Sequence, residues 1–320
     1  MSTATPATSA QVQAEQNPNR VALLQFPVSP SKEKNIQTAS DYINEAASKG
    51  ARLIVLPEIW NGPYATSAFS EYAEVLPNIG DDLSSTNVGS SDECPSFDLL
   101  RRKAMEHNMY IVGGSVSEKD EDNIYNTCMC ISPSGELVAK HRKVHLFDID
   151  VPGGIRFKES DTLTGGSTVS TFDAGEPFGQ IGVGICYDIR FPELAMCMIK
   201  RGCRMLIYPG AFNLTTGPSH WELLQRGRAV DGQCYVLTAS PARVTEEEAV
   251  SAGDGKYPHY TAWGHSTVVS PWGEVVGTCD ENPGIVICDL DMSKVDEMRQ
   301  GIPTSNQKRL DLYSFDDITA

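Results

Sequence analysis

The stretch Arg20–Leu56 reads RVALLQFPVSPSKEKNIQTASDYINEAASKGARLIVL, and it decides the fold class. Its first seven residues predict a strand, and Arg52–Leu56 (RLIVL) is a continuous apolar run, typical of a strand that is buried on both faces. Between them, apolar side chains recur at helical spacing, and Gly50 stands where the C-terminal cap of a helix is expected. A strand, a helix and a second strand in this order predict a parallel pair.

The same alternation continues along the chain. Further helices are predicted at Ser96–His107, Pro192–Arg201 and Trp221–Val230. Further strands are predicted at Met109–Val116, Asn126–Ser132, Glu136–His141, Gln180–Ile185, Met205–Tyr208, Gln233–Ala239, Ser266–Ser270, Glu274–Gly277 and Gly284–Leu290. Because strand–helix–strand units occur together with hairpins, we expect α/β layers with a mixed sheet. The pattern indicates a disordered tail over residues 1–19 and one domain over residues 20–320.

Composition excludes several classes of partner. The net charge of −16 would repel both a nucleic-acid backbone and an anionic membrane surface. No apolar run approaches the ~20 residues of a membrane span, and the first 20 residues have no apolar signal core. Nine cysteines, odd in number and irregular in spacing, indicate free thiols in the cytoplasm. A mitochondrial location is the alternative, because the tail is rich in serine and threonine.

One cysteine stands out by its surroundings. Cys186 lies in GVGICYDIRFPE (residues 182–193), where a strand of small residues runs into a turn, and Pro192 can open the next helix. A side chain at such a bend is exposed and rigid, as in the nucleophile elbow of serine hydrolases. A buried core cysteine is the alternative reading of this position. The context favours a nucleophile.

A thiol nucleophile needs a base, and the sequence offers two kinds. His145 or His220 could form the usual Cys–His pair. Glu58 follows the strand RLIVL and Pro57, at the sheet edge where ligands bind in α/β folds. A partly desolvated carboxylate there would suit proton transfer. Lys143 follows the strand Glu136–His141 in the basic run KHRKVH, so one inward-facing lysine is plausible. A zinc site at His141 and His145 lacks a convincing set of further ligands.

Three segments resemble the Glu, Lys and Cys signatures of the nitrilase superfamily, in that family's order: Leu56-Pro-Glu58, His141-Arg-Lys143 and Gly184-Ile-Cys-Tyr-Asp188. The resemblance covers nearly the whole chain after the tail and is closest to the Nit2-like omega-amidase branch. It rests on the longer runs KVHLFDIDVP (143–152), YPGAFNLTTGP (208–218), HWELLQ (220–225) and WGHST (263–267).

The resemblance implies an αββα sandwich that pairs into a homodimer. It also implies a catalytic triad of Glu58, Lys143 and Cys186, with Glu159 as a second glutamate that positions Lys143 or the substrate. Such an enzyme hydrolyses amides through a cysteine thioester and needs no metal or organic cofactor. The backbone N–H of Tyr187 would assist Lys143 in stabilising the oxyanion.

The same resemblance implies the substrate, a small dicarboxylate monoamide such as α-ketoglutaramate or α-ketosuccinamate. Arg190 would bind the far carboxylate, since a guanidinium binds it with two parallel hydrogen bonds. An ion pair with Asp188 or Glu193 is the structural alternative for this arginine. Tyr64, Phe212 and Thr216 match positions that line the family pocket.

Rival functions remain open at this stage. A deaminated-glutathione amidase, an N-carbamoyl amidohydrolase or a true nitrilase would keep the triad and change the pocket, and a non-catalytic dimeric scaffold is the alternative of a different class. The chain departs from the branch in its long tail, in the acidic loop around Glu246–Glu248, and at Ile59-Trp60 after the predicted base. The bulk of Trp60 is expected close to the site.

Overall fold

A computed structural model describes residues 17–83, 93–153, 156–251 and 255–319 of the chain. Most of the predicted N-terminal tail therefore lies outside the described residues, as do parts of the two polar stretches at residues 81–93 and 245–256. Within the described ranges, no helix is both long and apolar enough to cross a bilayer.

Fifteen strands are found in the described residues. They are β1 (Arg20–Gln25), β2 (Leu53–Val55), β3 (Tyr110–Val112), β4 (Val116–Asp120), β5 (Asn123–Ile131), β6 (Leu137–Arg142), β7 (Asp148–Asp150), β8 (Arg156–Lys158), β9 (Ser170–Asp173), β10 (Gln180–Val183), β11 (Met205–Ile207), β12 (Tyr235–Thr238), β13 (Thr267–Val269), β14 (Val275–Thr278) and β15 (Gly284–Asp289).

Seven α-helices accompany these strands in the described part of the chain. They are α1 (Lys32–Ser48), α2 (Phe69–Tyr72), α3 (Pro95–His107), α4 (Pro192–Lys200), α5 (Gly217–Gly232), α6 (Glu246–Ser251) and α7 (Ser293–Gly301). Three short 3₁₀ turns lie at Glu159–Asp161, Cys186–Arg190 and Thr304–Asn306.

The strands form two large mixed sheets and one small hairpin. The first sheet has the order β15-β1-β2-β3-β5-β4, with β6 paired to β5, and the second has the order β14-β13-β12-β11-β10-β9. Strand β1 runs parallel to β2, with Val21 opposite Leu53, as the opening stretch of sequence predicted. It also pairs antiparallel with β15, which brings residues near the two ends of the chain together.

The two sheets pack face to face between two layers of helices. Successive residues of β1 and β2 face opposite sides of the first sheet. Val21 and Leu53 face the core that is shared with the second sheet, whereas Ala22 and Ile54 pack toward α1 and α3. Helices α4 and α5 cover the outer face of the second sheet, next to β10 and β12. The chain therefore has the αββα sandwich that the resemblance implied.

One predicted strand was wrong in a way that matters for the site. Met109–Val116 is divided into β3 and β4 by Gly113 and Gly114. Gly114 has a φ of +65°, and a Cβ atom there would lie 2.1 Å from the carbonyl oxygen of Pro57. Only glycine fits such a close approach. The break lets the chain pass directly beside Pro57, the residue before the predicted base.

Six further elements, among them the four-residue helix α2, had no clear signal in the sequence. Strands β7, β8 and β9 are only three or four residues long, and α6 lies in the acidic stretch that the sequence indicated as a surface loop. Helix α7 follows the last strand. Short segments like these offer too few residues for a periodic pattern to be recognised.

Candidate active site

Glu58 lies three residues beyond the end of β2, and its carboxylate is completely buried. Oxygen Oε1 accepts hydrogen bonds from Asn126 Nδ2 at 2.9 Å and from Lys143 Nζ at 3.0 Å. Oxygen Oε2 accepts the backbone N–H of Ala211 at 2.7 Å. The next residue, Ile59, has a φ of +45°, which is strained for a β-branched side chain. Donors from three other parts of the chain thus fix this carboxylate.

Cys186 stands at the bend after β10, as predicted, but its side chain is buried and not exposed as expected. Its φ of +46° places a non-glycine residue in the left-handed region, which is a strained conformation. Its backbone N–H donates to Pro209 O at 2.7 Å, and its thiol lies close enough to Glu58 for that carboxylate to raise the pKa of the thiol. Gly210 makes room for the bend, because a Cβ atom there would lie 3.1 Å from the Cα atom of Cys186. The predicted nucleophile and the predicted base are therefore neighbours in one buried site.

Lys143 follows β6 directly and points inward, with its side chain fully buried. Its ammonium lies between two carboxylates, 3.0 Å from Glu58 Oε1 and 2.9 Å from Glu159 Oε1. Glu159 begins a 3₁₀ turn; its Oε2 accepts the N–H of Phe147 at 2.7 Å, and its Oε1 accepts the hydroxyl of Tyr64 at 2.7 Å. We call Glu58, Lys143 and Glu159 the carboxylate–lysine cluster.

Burial and the facing charges set the protonation states around this cluster. Burial raises the pKa of Cys186 well above its ordinary value, and the negative charge of Glu58 raises it further. Burial alone would lower the pKa of Lys143, but Glu159 and Glu58 outweigh this effect and raise it well above its ordinary value. The pKa of Glu159 is raised, mainly by burial. The resting site thus holds a neutral thiol beside a permanently charged ammonium.

Arg190 lies at the end of the 3₁₀ turn that begins with Cys186. Its guanidinium lies 4.8 Å from the centroid of the Phe212 ring and 5.7 Å from that of Tyr187, and its Nη1 is 3.2 Å from His220 Nδ1. Among the described residues, no carboxylate forms a salt bridge with Arg190, so the structural alternative of an ion pair with Asp188 or Glu193 is wrong.

The other predicted pocket residues differ in their positions. The ring of Tyr64 lies 4.5 Å from that of Tyr260, and its hydroxyl binds the carboxylate–lysine cluster. Phe212 is buried and packs edge-on against Trp221, so it belongs to the core as well as facing Arg190. Thr216 immediately precedes α5, and its hydroxyl donates to Asn213 Oδ1 at 3.2 Å.

The histidines occupy positions away from the thiol. His141 Nε2 and His145 Nδ1 lie 3.0 Å and 2.8 Å from the carboxylate of Asp188, and His220 lies beside Arg190. The structure therefore favours Glu58 over His145 or His220 as the base. Within the described residues, no three histidine, cysteine or acidic side chains are grouped so that they could hold a metal ion.

Asn126 and Tyr260 lie beside the site but were not predicted there, whereas Trp60 was predicted beside the site and lies elsewhere. Asn126 and Tyr260 carried no motif of their own, although Asn126 begins a predicted strand. Tyr260 donates to the carbonyl of Ala211 at 2.6 Å and, with Ala249 of α6, lines a cavity next to Glu58. The acidic insertion therefore forms part of the wall near the site. Trp60 instead points into the core, where its Nε1 donates to Gly113 O at 2.8 Å.

The chain matches the family model described as carbon-nitrogen hydrolase over residues 20–300. It is 51% identical to a Bos taurus protein named omega-amidase NIT2 over 297 residues, which cover 93% of this chain and 97% of that protein. Omega-amidase NIT2 of Homo sapiens is 49% identical over the same shares of the two chains.

A solved structure supports the same assignment. Nit3 of Saccharomyces cerevisiae, described as a member of branch 10 of the nitrilase superfamily, has a TM-score of 0.77 and 39% sequence identity. The match covers 91% of this chain and 96% of the yeast chain. On these comparisons, and with the fold and the buried Glu58, Lys143 and Cys186 side chains in place, the chain belongs to the carbon-nitrogen hydrolase family of the nitrilase superfamily, and within it to the Nit2-like proteins.

Proposed function

We propose that the omega-amidase activity of this chain is carried by Cys186 as nucleophile, Glu58 as base and Lys143 as the cation that stabilises the oxyanion. The observation that carries the proposal is the burial of the thiol beside Glu58, whose carboxylate lies 3.0 Å from the buried ammonium of Lys143. Glu159 holds that ammonium from its other side.

The first half of the reaction forms a thioester. Glu58 accepts the proton of Cys186, and the thiolate attacks the amide carbon. Lys143 and the N–H of Tyr187 stabilise the negative oxygen of the tetrahedral intermediate. Glu58 then donates the proton to the amide nitrogen, the C–N bond breaks, and ammonia leaves. Because the pKa of the thiol is raised at rest, the proton acceptor is essential for this step.

The second half releases the acid. Glu58 takes a proton from water, and the resulting hydroxide attacks the thioester carbon. The C–S bond breaks, the product leaves as a carboxylic acid, and the proton returns from Glu58 to the sulfur of Cys186. Lys143 stays protonated throughout, because its two carboxylate neighbours hold its pKa well above the ordinary value.

The substrate we propose is a dicarboxylate monoamide such as α-ketoglutaramate or α-ketosuccinamate. Arg190 supplies a half-buried positive charge that is not neutralised by a carboxylate in the described part of the chain. The faces of Phe212 and Tyr187 hold its guanidinium in place. Such a cation suits the far carboxylate of the substrate. Tyr64 and Thr216 complete the proposed lining.

The test is ammonia release by the wild-type protein and by Cys186→Ala. α-Ketoglutaramate is the expected substrate, and deaminated glutathione and a nitrile are the comparisons. We expect rapid turnover of α-ketoglutaramate alone. In Cys186→Ala, the rate of ammonia release should fall at least ~10⁴-fold. Turnover of deaminated glutathione or of the nitrile in preference to α-ketoglutaramate would contradict the substrate proposal, and full activity of Cys186→Ala would contradict the mechanism.

Arg190→Met separates substrate binding from chemistry. Loss of the paired cation should raise KM for α-ketoglutaramate about 10- to 100-fold, since a charged hydrogen-bonded pair contributes about 1.5–3 kcal/mol. An uncharged short-chain amide serves as the control, and its slow turnover should be unaffected. An equal loss for both amides would show that Arg190 acts on the fold or on the chemistry instead.

We further propose a homodimer in the cytoplasm. Leu223 and Val230 lie seven residues apart on α5 and are exposed, and Trp272 of the β13–β14 turn, whose Gly273 lies close to Val230, is exposed as well. Arg226 Nε donates to Gly273 O at 2.8 Å and ties the helix to that turn, so these side chains form one apolar patch. Sedimentation of wild type and Leu223→Glu would test the dimer.

The proposed location in the cytoplasm has separate support. All nine cysteines are free, as predicted, which suits a reducing compartment.

A further inference from the structure

Asp188 is a buried carboxylate that the proposed reaction does not use. Its side chain is completely buried two residues after Cys186, and its two oxygens accept four hydrogen bonds. Oxygen Oδ2 binds the N–H of Ile185 at 2.9 Å and Nε2 of His141 at 3.0 Å. Oxygen Oδ1 binds the N–H of His145 at 2.9 Å and the Nδ1 of the same residue at 2.8 Å.

These donors flank both the nucleophile and the cation of the proposed mechanism. Ile185 immediately precedes Cys186, whereas His141 and His145 lie two residues before and two residues after Lys143. The nucleophile turn follows β10 of the second sheet, and Lys143 follows β6 of the first. A single carboxylate therefore joins segments from the two sheets at the point where the reaction is proposed to occur.

The charge of Asp188 fixes the protons of its partners. Burial raises the pKa of this carboxyl, but the hydrogen bonds from His141 and His145 outweigh burial and hold the pKa well below its ordinary value. An ionised carboxylate only accepts hydrogen bonds, so His141 carries a proton on Nε2 and His145 carries one on Nδ1. Ser170 Oγ lies 3.0 Å from Nδ1 of His141 and holds that ring from behind.

The hydrogen bonds of Asp188 help to hold the strained bend at Cys186. A φ of +46° is costly for a cysteine and persists only where neighbouring contacts enforce it. The bond from Ile185 to Asp188 closes the turn on one side of Cys186, and the bond to Pro209 O holds the residue itself. Without the carboxylate, one enforcing contact is lost and the histidine donors remain buried without an acceptor.

We propose that Asp188 is a positioning residue that holds the Cys186 turn in register with Lys143 through His141 and His145. The inference rests on the proposed roles of Cys186 and Lys143. Its consequence is specific: loss of the carboxylate separates the thiol from the oxyanion cation, whereas Arg190 keeps its contacts with Phe212 and His220, which lie outside the turn. A misplacement of about 1 Å at reacting atoms can cost ~10²-fold in rate.

The main experiment compares Asp188→Asn with wild type at saturating and limiting α-ketoglutaramate. We expect kcat to fall about 100-fold and KM to stay within about threefold. The matched control is Glu74→Gln, which alters another buried carboxylate, one that accepts the N–H and the hydroxyl of Ser96 at 3.0 and 2.8 Å. It should lower the melting temperature as much as Asp188→Asn does, with kcat within about threefold of wild type.

Two further variants test the route through histidine. His141→Leu should lower kcat at least tenfold, and His141→Gln, which keeps an N–H near the position of Nε2, should recover most of it. In the double variant Asp188→Asn/His141→Leu, the loss of kcat should exceed that of Asp188→Asn by no more than about threefold. The reason is that both changes remove the same hydrogen bond between Asp188 and His141.

Several outcomes would overturn the inference: a kcat of Asp188→Asn within threefold of wild type, a rise in KM that accounts for the loss, or multiplicative losses in the double variant. If Asp188→Asn does not fold, the pair His141→Leu and His141→Gln decides, and equal kcat values for the two would overturn it. These results leave the proposed function intact, since that fails only if Cys186→Ala stays active or α-ketoglutaramate is not turned over.

Discussion

The proposed base and the proposed nucleophile stand at the ends of two strands from different sheets, and the two ends are held differently. Each of the two strand ends is followed by a residue at positive φ, Ile59 at +45° and Cys186 at +46°. The carboxylate of Glu58 is held by donors from elsewhere in the chain, among them Asn126 and Lys143. The Cys186 turn is closed from within its own segment by the bond from Ile185 to Asp188, and Pro209 and the two histidines then tie it to the rest of the chain.

The difference shows how each group acquires its role. The nucleophile turn is closed by a hydrogen bond between close neighbours in sequence, so part of its strained bend is a local property. The base depends on the packing of the first sheet against the second, because Asn126 lies on β5 and Ala211 follows β11. Substitutions around Glu58 should therefore change proton transfer, whereas substitutions in the turn should change geometry and stability.

The largest effect is expected at Glu58 itself. Glu58→Gln keeps the shape of the side chain but cannot accept a proton, so kcat/KM should fall about 10²- to 10⁴-fold. Burial alone keeps the pKa of the Cys186 thiol above its ordinary value of 9.0. The residual rate of the variant should consequently keep rising with pH through 9, as hydroxide replaces the missing base.

Ammonia release across a pH series measures this rise. Glu74→Gln, in a buried carboxylate away from the cluster, is the control and should retain the wild-type profile. A Glu58→Gln variant with more than a tenth of the wild-type kcat would rule out Glu58 as the base.

An intermediate effect is expected at Asn126. Asn126→Leu removes the 2.9 Å hydrogen bond to Glu58 Oε1 and keeps the branched shape of the side chain. A hydrogen bond to a charged group contributes about 1.5–3 kcal/mol, so kcat should fall about 10- to 100-fold. Steady-state kinetics of Asn35→Leu provide the comparison, since Asn35 is another buried asparagine, on α1, whose amide binds Ser29. Equal losses of kcat in the two variants would mean that the effect is one of stability alone.

The same contrast explains how far sequence could predict this site. The Cys186 bend was predictable because small residues, a turn and Pro192 are adjacent in sequence, and β1, α1 and β2 followed from periodicity. Asn126 was missed because its bond to Glu58 spans 68 residues. Trp60 was misplaced for a related reason: with Ile59 at positive φ, the chain turns after Glu58 and sends the indole into the core.

The family resemblance supplied what local patterns could not. Residue types near Lys143 indicated one inward lysine among several cations, and only the ordered signatures singled it out. The division of the strands into two sheets also depends on long-range pairing, such as that of β1 with β15. Such pairings leave no mark on the periodicity of either strand.

The smallest effect tests the strain at the two strand ends directly. Alanine carries a penalty in the left-handed region that glycine does not, of roughly 1–2 kcal/mol. Cys186→Gly should therefore unfold at a higher urea concentration than Cys186→Ala, and Ile59→Gly at a higher one than Ile59→Ala. The control is Ala195→Gly in α4, a buried position of ordinary helical φ, where glycine should cost about 1 kcal/mol.

Urea unfolding followed by circular dichroism measures all five variants and wild type, and the inactivity of the Cys186 variants does not affect it. If alanine is the more stable choice at both positions by the margin seen at residue 195, neither strand end is strained. If glycine is favoured at Cys186 only, the turn that contains Cys186 is strained, whereas the segment that follows Glu58 is not. The two strand ends would then differ in energy as well as in the origin of their contacts.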